Sequence, residues 1–129
     1  MKVRSILFSL FFALPVAIFA HVTGTYNVSG NDPLSGKYTG TLTIDQNGDI
    51  YNATWIFPNT SEVDTATGVR RGNTLALVFN EGGLVAGLMQ KSGLSFGVQE
   101  YEIEDNTLKG PWVRYQATQK GFEIAKKIK

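Results

Sequence analysis

Three stretches of this chain place a two-residue turn signal between segments in which apolar and polar residues alternate. No other feature restricts the fold as much. In the first stretch, Tyr38 to Phe57, Asn47-Gly48 predicts a type I′ hairpin turn, because both central residues of that turn need φ > 0. The turn sets a register in which Tyr38 lies opposite Phe57, Gly40 opposite Trp55, Leu42 opposite Ala53 and Ile44 opposite Tyr51. All eight side chains then share one face, since side chains alternate along a strand. The other face carries Thr39, Thr41, Thr43, Asn52 and Thr54. A hairpin that is apolar on one side and sets large residues against small ones suits the interior of a small closed β-barrel.

Gly72-Asn73 and Asp105-Asn106 supply the other two turns. The first predicts Gly68 opposite Leu77, Ala66 opposite Phe79 and Arg70 opposite Leu75. The second predicts Ile103 opposite Leu108, Tyr101 opposite Gly110 and Gln99 opposite Trp112, with a Glu102–Lys109 charge pair on the outer face. Turn chemistry and face pattern agree at all three sites, and such agreement across levels is evidence for a fold. Turn signals recur at roughly the 8–12-residue spacing of an all-β sandwich or barrel. They predict strands near 22–29, 36–46, 49–58, 62–71, 74–80, 94–104, 107–116 and 119–126. Proline cannot donate to a ladder, so Pro58 is expected at a strand end and Pro111 at a bulge beside Trp112. The apolar, Gly-rich segment 82–90 does not fit the meander; an extra strand, a short helix, a lid over one barrel end and a connection packed on the core are all compatible with it.

Residues 1–20 read as a secretory signal peptide, with Lys2 and Arg4 ahead of an apolar run from Ile6 to Phe19 and a cut after Ala20, or alternatively after Ala17. The run is short for a membrane span. The remainder, 21–129, suits one domain. Without Lys2 and Arg4 it holds ten Lys and Arg against eleven Asp and Glu, a balance that offers no pull toward nucleic acid or an anionic membrane. The chain has no cysteine, which removes disulfides, thiol catalysis and cysteine-ligated metals.

His21 is the single histidine. Without a second one, neither a histidine metal site nor a nucleophilic triad can be assembled, and no cofactor or metal is expected. Glu100, Glu102 and Glu104 share a strand face opposite Tyr101 and Ile103, and are expected outside as a solvated stripe. Carboxylate pairs for acid–base work are therefore not expected in the interior. Arg70, Gln99 and Arg114 fall on the aromatic side. A charge there costs several kcal/mol unless it is paired or wet; each arginine either snorkels at an open rim or meets a ligand or a buried partner. Tyr38, Tyr51, Trp55, Phe57, Phe79, Tyr101 and Trp112 would fill a core or line a cavity, since an eight-stranded barrel is about wide enough for either.

Gly24-Thr-Tyr26, Tyr38-x-Gly-x-Leu-x-Ile44 and Leu108-x-Gly-x-Trp112 resemble motifs of lipocalins and avidin-like barrels. Over most of 22–126 the chain also resembles small bacterial exported proteins, some labelled fibronectin-binding. The lipocalin resemblance implies a late-strand arginine closing one barrel end against the first aromatic residue. Position 26 is Tyr rather than Trp, and Arg114 is the late-strand candidate. The fibronectin-binding label would imply an adhesive, protein-binding role.

The expectation is thus an all-β protein, a single antiparallel up-and-down β-barrel of about eight strands (lipocalin/avidin-like) after a signal peptide. It would be exported, periplasmic or extracellular, and non-catalytic. A small apolar or amphipathic molecule would be held by Tyr38, Trp55, Tyr101 and Trp112 as walls, with Arg70, Gln99 and Arg114 for polar or anionic recognition. The alternative is an adhesive domain with a packed core whose partner is a host or surface protein. The mature chain is expected neither to bind nucleic acid nor to span a membrane.

Overall fold

Alternation of period two along each segment, punctuated by tight turns, produces a meander that closes on itself. The computed structural model describes residues 21–82 and 96–129. Within them lie eight antiparallel strands: β1 (Gly24–Asp32), β2 (Gly36–Asn47), β3 (Ile50–Phe57), β4 (Glu62–Arg71), β5 (Thr74–Asn80), β6 (Phe96–Glu104), β7 (Thr107–Arg114) and β8 (Gly121–Lys127). They form one closed barrel in sequence order. Closure is made by β1 and β8, paired from Tyr26↔Lys127 to Asn31↔Phe122. Among the described residues no strand edge is left over, which removes the usual template for edge-to-edge association. The leader and most of the 82–90 segment lie outside the described residues.

The hairpins at 72–73 and 105–106 have the predicted registers, with Gly68↔Leu77 and Ala66↔Phe79 in one and Ile103↔Leu108 and Gln99↔Trp112 in the other. The first hairpin differs. Leu42 pairs with Trp55, Ile44 with Ala53 and Asn47 with Ile50, so the turn centres on Gly48-Asp49. Gly48 has φ +64°, while neither Asn47 nor Asp49 has positive φ. Positive φ at the first central residue alone is the type II′ pattern. Placing it on glycine avoids the left-handed strain that a type I′ turn would impose on Asn47. Because the slip is two residues, every side chain keeps its face. Only the cross-strand partners change.

The large-against-small rule survives with different partners. Tyr38 lies opposite Gly30, Phe79 opposite Gly97 and Trp112 opposite Gly121. At each of these glycines an added Cβ would collide with the facing ring. Pro58 follows the last residue of β3 as expected. Pro111 makes no bulge: the β6–β7 register is the same on both sides of it, and only the ladder is interrupted. There the Gln99 Nε2 donates to the carbonyls of Glu100 (3.0 Å), Gly110 (3.2 Å) and Pro111 (3.2 Å), satisfying acceptors that the interrupted ladder leaves open. On the outer face Lys109 pairs with the diagonal Glu104 at 3.0 Å rather than with Glu102.

The two barrel ends are unlike. At the end bearing the 47–50, 71–74 and 104–107 turns the interior is packed, with Leu42, Ile44, Leu75, Ile103, Leu108 and Ala125 all buried. Residues 22–26 and the C-terminal segment cap this end. Tyr26 Oη donates to the Val22 carbonyl (2.7 Å), and Thr25 N donates to the Lys129 carbonyl (2.7 Å). The opposite end is lined by aromatic rings and charged side chains.

Candidate functional site

Continuing the inward period toward this second end brings Asp32, Asp64, Glu81, Arg114 and Glu123 into the interior. A cavity of about 290 Å³ opens among them, walled by Tyr38, Trp55, Phe57, Phe79 and Trp112. The rings meet edge to face: Trp55 with Phe79 at 6.3 Å between centroids, Phe79 with Trp112 at 6.1 Å, and Tyr38 with Phe57 at 5.5 Å. Edge-to-face contacts fix ring orientation without filling the space between walls.

The floor is organised by Glu123 on β8, which is 2 % exposed. Its carboxylate accepts from Tyr38 Oη (2.8 Å), Trp55 Nε1 (2.9 Å) and Tyr101 Oη. Burial pushes the Glu123 carboxyl up, and the three donors work against that shift. Burial and the Glu123 charge likewise raise the Tyr38 and Tyr101 hydroxyls, which therefore stay protonated as donors.

The rim is tied by Arg114 at the end of β7. Its Nε and Nη2 bond Glu81 (2.7 and 2.9 Å), and its Nη1 and Nη2 bond Asp32 (3.1 and 2.7 Å). The guanidinium also lies 5.0 Å from the centroid of Trp112. Burial alone would lower the Arg114 pKa, but Asp32 and Glu81 hold it above the ordinary value. At Asp32 burial acts to raise the carboxyl; hydrogen bonds from Arg114 and from Leu34 N (2.8 Å) outweigh it and leave the group below the usual range.

Beside this latch three carboxylates converge. Ligand-capable oxygens of Glu62, Asp64 and Glu81 all lie within 4.8 Å of one another. Asp64 accepts from Gly82 N at 2.9 Å. Burial, then the neighbouring Glu62 and Glu81, push the Asp64 carboxyl up to about 9, so it carries a proton at neutral pH. Both Glu81 oxygens are already engaged by Arg114, so a metal ion in this group would compete with the guanidinium as well as with the Asp64 proton.

Of the seven residues singled out from the sequence, Tyr38, Trp55, Gln99, Trp112 and Arg114 line the cavity. Tyr101 lies beneath the floor, fully buried, and acts on the site through Glu123. Arg70 is at the packed end, where its Nε donates to the Gly72 carbonyl at 2.8 Å, so it is no part of this site. The end-closing pair implied by the lipocalin resemblance also changes. Arg114 is at the opposite end from Tyr26, and the arginine whose charge reaches Tyr26 is Arg70. Arg114 has both carboxylates, Asp32 and Glu81, as partners. The expectation that Asp and Glu lie outside holds for Glu100, Glu102 and Glu104 but fails for the carboxylates of the mouth. Asp64 sits two residues before Ala66, Glu81 two after Phe79, and Glu123 two before Ala125; extending the same alternation by one step would have found them.

Comparison with known proteins places the architecture alone. No family model and no curated protein matches this chain. Among solved structures it is similar to a redesigned β-barrel, with a TM-score of 0.65 and 7 % identity over 84 % of this chain and 92 % of that one. The protein is an all-β, eight-stranded antiparallel barrel.

Proposed function

We propose that this is an exported, non-catalytic binding protein that holds a small, partly apolar molecule in the barrel mouth. One observation carries the reading: the described residues leave the mouth end unfilled, and five of their aromatic rings surround a cavity of about 290 Å³ with buried polar groups at its floor. That volume is at the small end of the range of about 300–1,000 Å³ common for ligand pockets, and the mixture of apolar walls with a few convergent polar groups is their usual composition. Tyr38, Trp55 and Trp112 would provide the walls and Gln99 a polar contact. Export rests on the leader pattern in residues 1–20.

Native mass spectrometry of the purified protein, before and after denaturing extraction, tests the reading. The expected result is a discrete added mass that leaves on denaturation, or, for protein that arrives empty, saturable quenching of tryptophan emission by a small neutral aromatic. A clean mass together with no response to such probes would overturn it.

A further inference from the structure

We propose that the ligand of this mouth is a small uncharged carbonyl compound. One ring lies against Trp55, Phe79 and Trp112, and its C=O oxygen accepts from the Trp112 indole N–H. The inference rests on the reading of the cavity as a small-molecule site and names the chemistry of its occupant.

An open donor is the first support. Trp112 is more than nine-tenths buried and lines the cavity. Its indole N–H is directed toward the Tyr38 hydroxyl, which lines the same cavity, but it forms no well-made hydrogen bond there or with any other acceptor among the described residues. The Tyr38 hydroxyl is itself turned to Glu123, at 2.8 Å. Trp55, the other indole of the wall, is by contrast satisfied by Glu123 at 2.9 Å. Buried donors are normally paired, and a donor left open in a cavity wall points to an occupant that brings an acceptor. The charges of the lining are the second support, because they are matched by one another. Asp32 and Glu81 share the Arg114 guanidinium through four hydrogen bonds of 2.7–3.1 Å. Glu123 accepts from three donors. Asp64 carries a proton at neutral pH and is hydrogen-bonded with Glu62. Lys37 is exposed. A charged ligand would give up its hydration without meeting an unmatched partner inside, a penalty that an uncharged one avoids. Size is the third support. A cavity of about 150 Å³ holds benzene, so one of about 290 Å³ accommodates a ring with a short polar substituent.

Trp55 and Trp112 are the chain's two tryptophans, so a ¹H–¹⁵N correlation spectrum carries two indole N–H signals, which nuclear Overhauser contacts assign. Four probes of similar size, acetophenone, ethylbenzene, benzoate and benzylammonium, are titrated at pH 7. Acetophenone is expected to bind about tenfold or more tightly than either charged probe. It is also expected to move the Trp112 indole proton downfield, a shift that ethylbenzene does not produce. Trp112→Phe keeps an aromatic wall and removes the N–H. It is expected to weaken acetophenone binding about tenfold and ethylbenzene binding much less, with far-UV circular dichroism confirming the barrel. The indole shift is read in the natural chain and decides the matter if the variant does not fold. A preference for benzoate or benzylammonium, an indole proton that acetophenone and ethylbenzene move alike, or equal weakening of both by the variant would overturn the carbonyl assignment and leave the small-molecule reading intact. Silence from all four would overturn both.

Discussion

Arg114 at the end of β7 reaches Asp32 at the end of β1 with a bidentate pair of hydrogen bonds, at 3.1 and 2.7 Å, while its other edge grips Glu81. One side chain thus ties strands that are neighbours neither in sequence nor in the sheet. Removing it leaves buried carboxylates without their counter-charge. Breaking such a pair from one side costs about 3–5 kcal/mol. Arg114→Met should therefore lower the unfolding free energy by an amount in that range, read from urea denaturation, and Arg114→Lys should recover little because it cannot form the double fork. An unchanged midpoint would mean that the latch contributes nothing to stability.

Asp64 gives the protein a pH dependence of definite sign. Its carboxyl is raised to about 9 by burial and by Glu62 and Glu81, against an ordinary value of 3.8 in the unfolded chain. Between those values the folded state binds the extra proton, so the associated stability is complete below the unfolded value and is lost as pH rises toward the folded one. The slope is at most about 1.4 kcal/mol per pH unit. Urea unfolding from pH 7 to 8.5 should show declining stability for the natural chain. Asp64→Asn should flatten that slope, and an equal slope in both proteins would show that Asp64 does not hold the proton.

Glu123 should be intolerant even of an isosteric change. Its carboxylate accepts three hydrogen bonds from Tyr38, Trp55 and Tyr101. In Glu123→Gln one oxygen becomes an NH₂ facing donors, leaving unsatisfied buried groups at about 1–3 kcal/mol. The expected readouts are a lower unfolding midpoint and a shifted Trp55 emission maximum. Retention of both would show that the floor does not depend on the negative charge.

Turn chemistry can be tested in the first hairpin. Asn47 pairs with Ile50 inside the ladder, and Gly48 carries φ +64°. Gly48→Ala should cost about 1–2 kcal/mol through left-handed strain, whereas Asn47→Val should be nearly neutral because a β-branched residue suits an extended position. A reversed order in thermal unfolding would restore the Asn47-Gly48 turn.

Most of the barrel was legible because hydrophobic alternation and turn residues are local signals. Gly72-Asn73 and Asp105-Asn106 specified their hairpins residue for residue. Asn47-Gly48 misled by two residues because Gly48-Asp49 is an equally local alternative, and a slip of two leaves the buried face intact. The site was harder to see. Its aromatic walls follow the alternation, and so do Asp64, Glu81 and Glu123, whose positions point inward although carboxylates are a surface type by chemistry. Arg70 shows the converse: it shares the inward face, yet sits at the packed end. Which end of a closed barrel stays open depends on what caps it, and the cap of Val22 and Tyr26 joins residues through closure of the whole ring.

Residues 21–25 and 127–129 lie together at the capped end: the His21 carbonyl accepts from Lys127 Nζ at 2.8 Å, and Thr25 N donates to the Lys129 carbonyl at 2.7 Å. A tether, fluorescent reporter or solid support joined at Lys129 departs from the side opposite the cavity. The barrel can be moored by its tail, like a cup held at its base, with the end that bears the cavity turned away from the mooring.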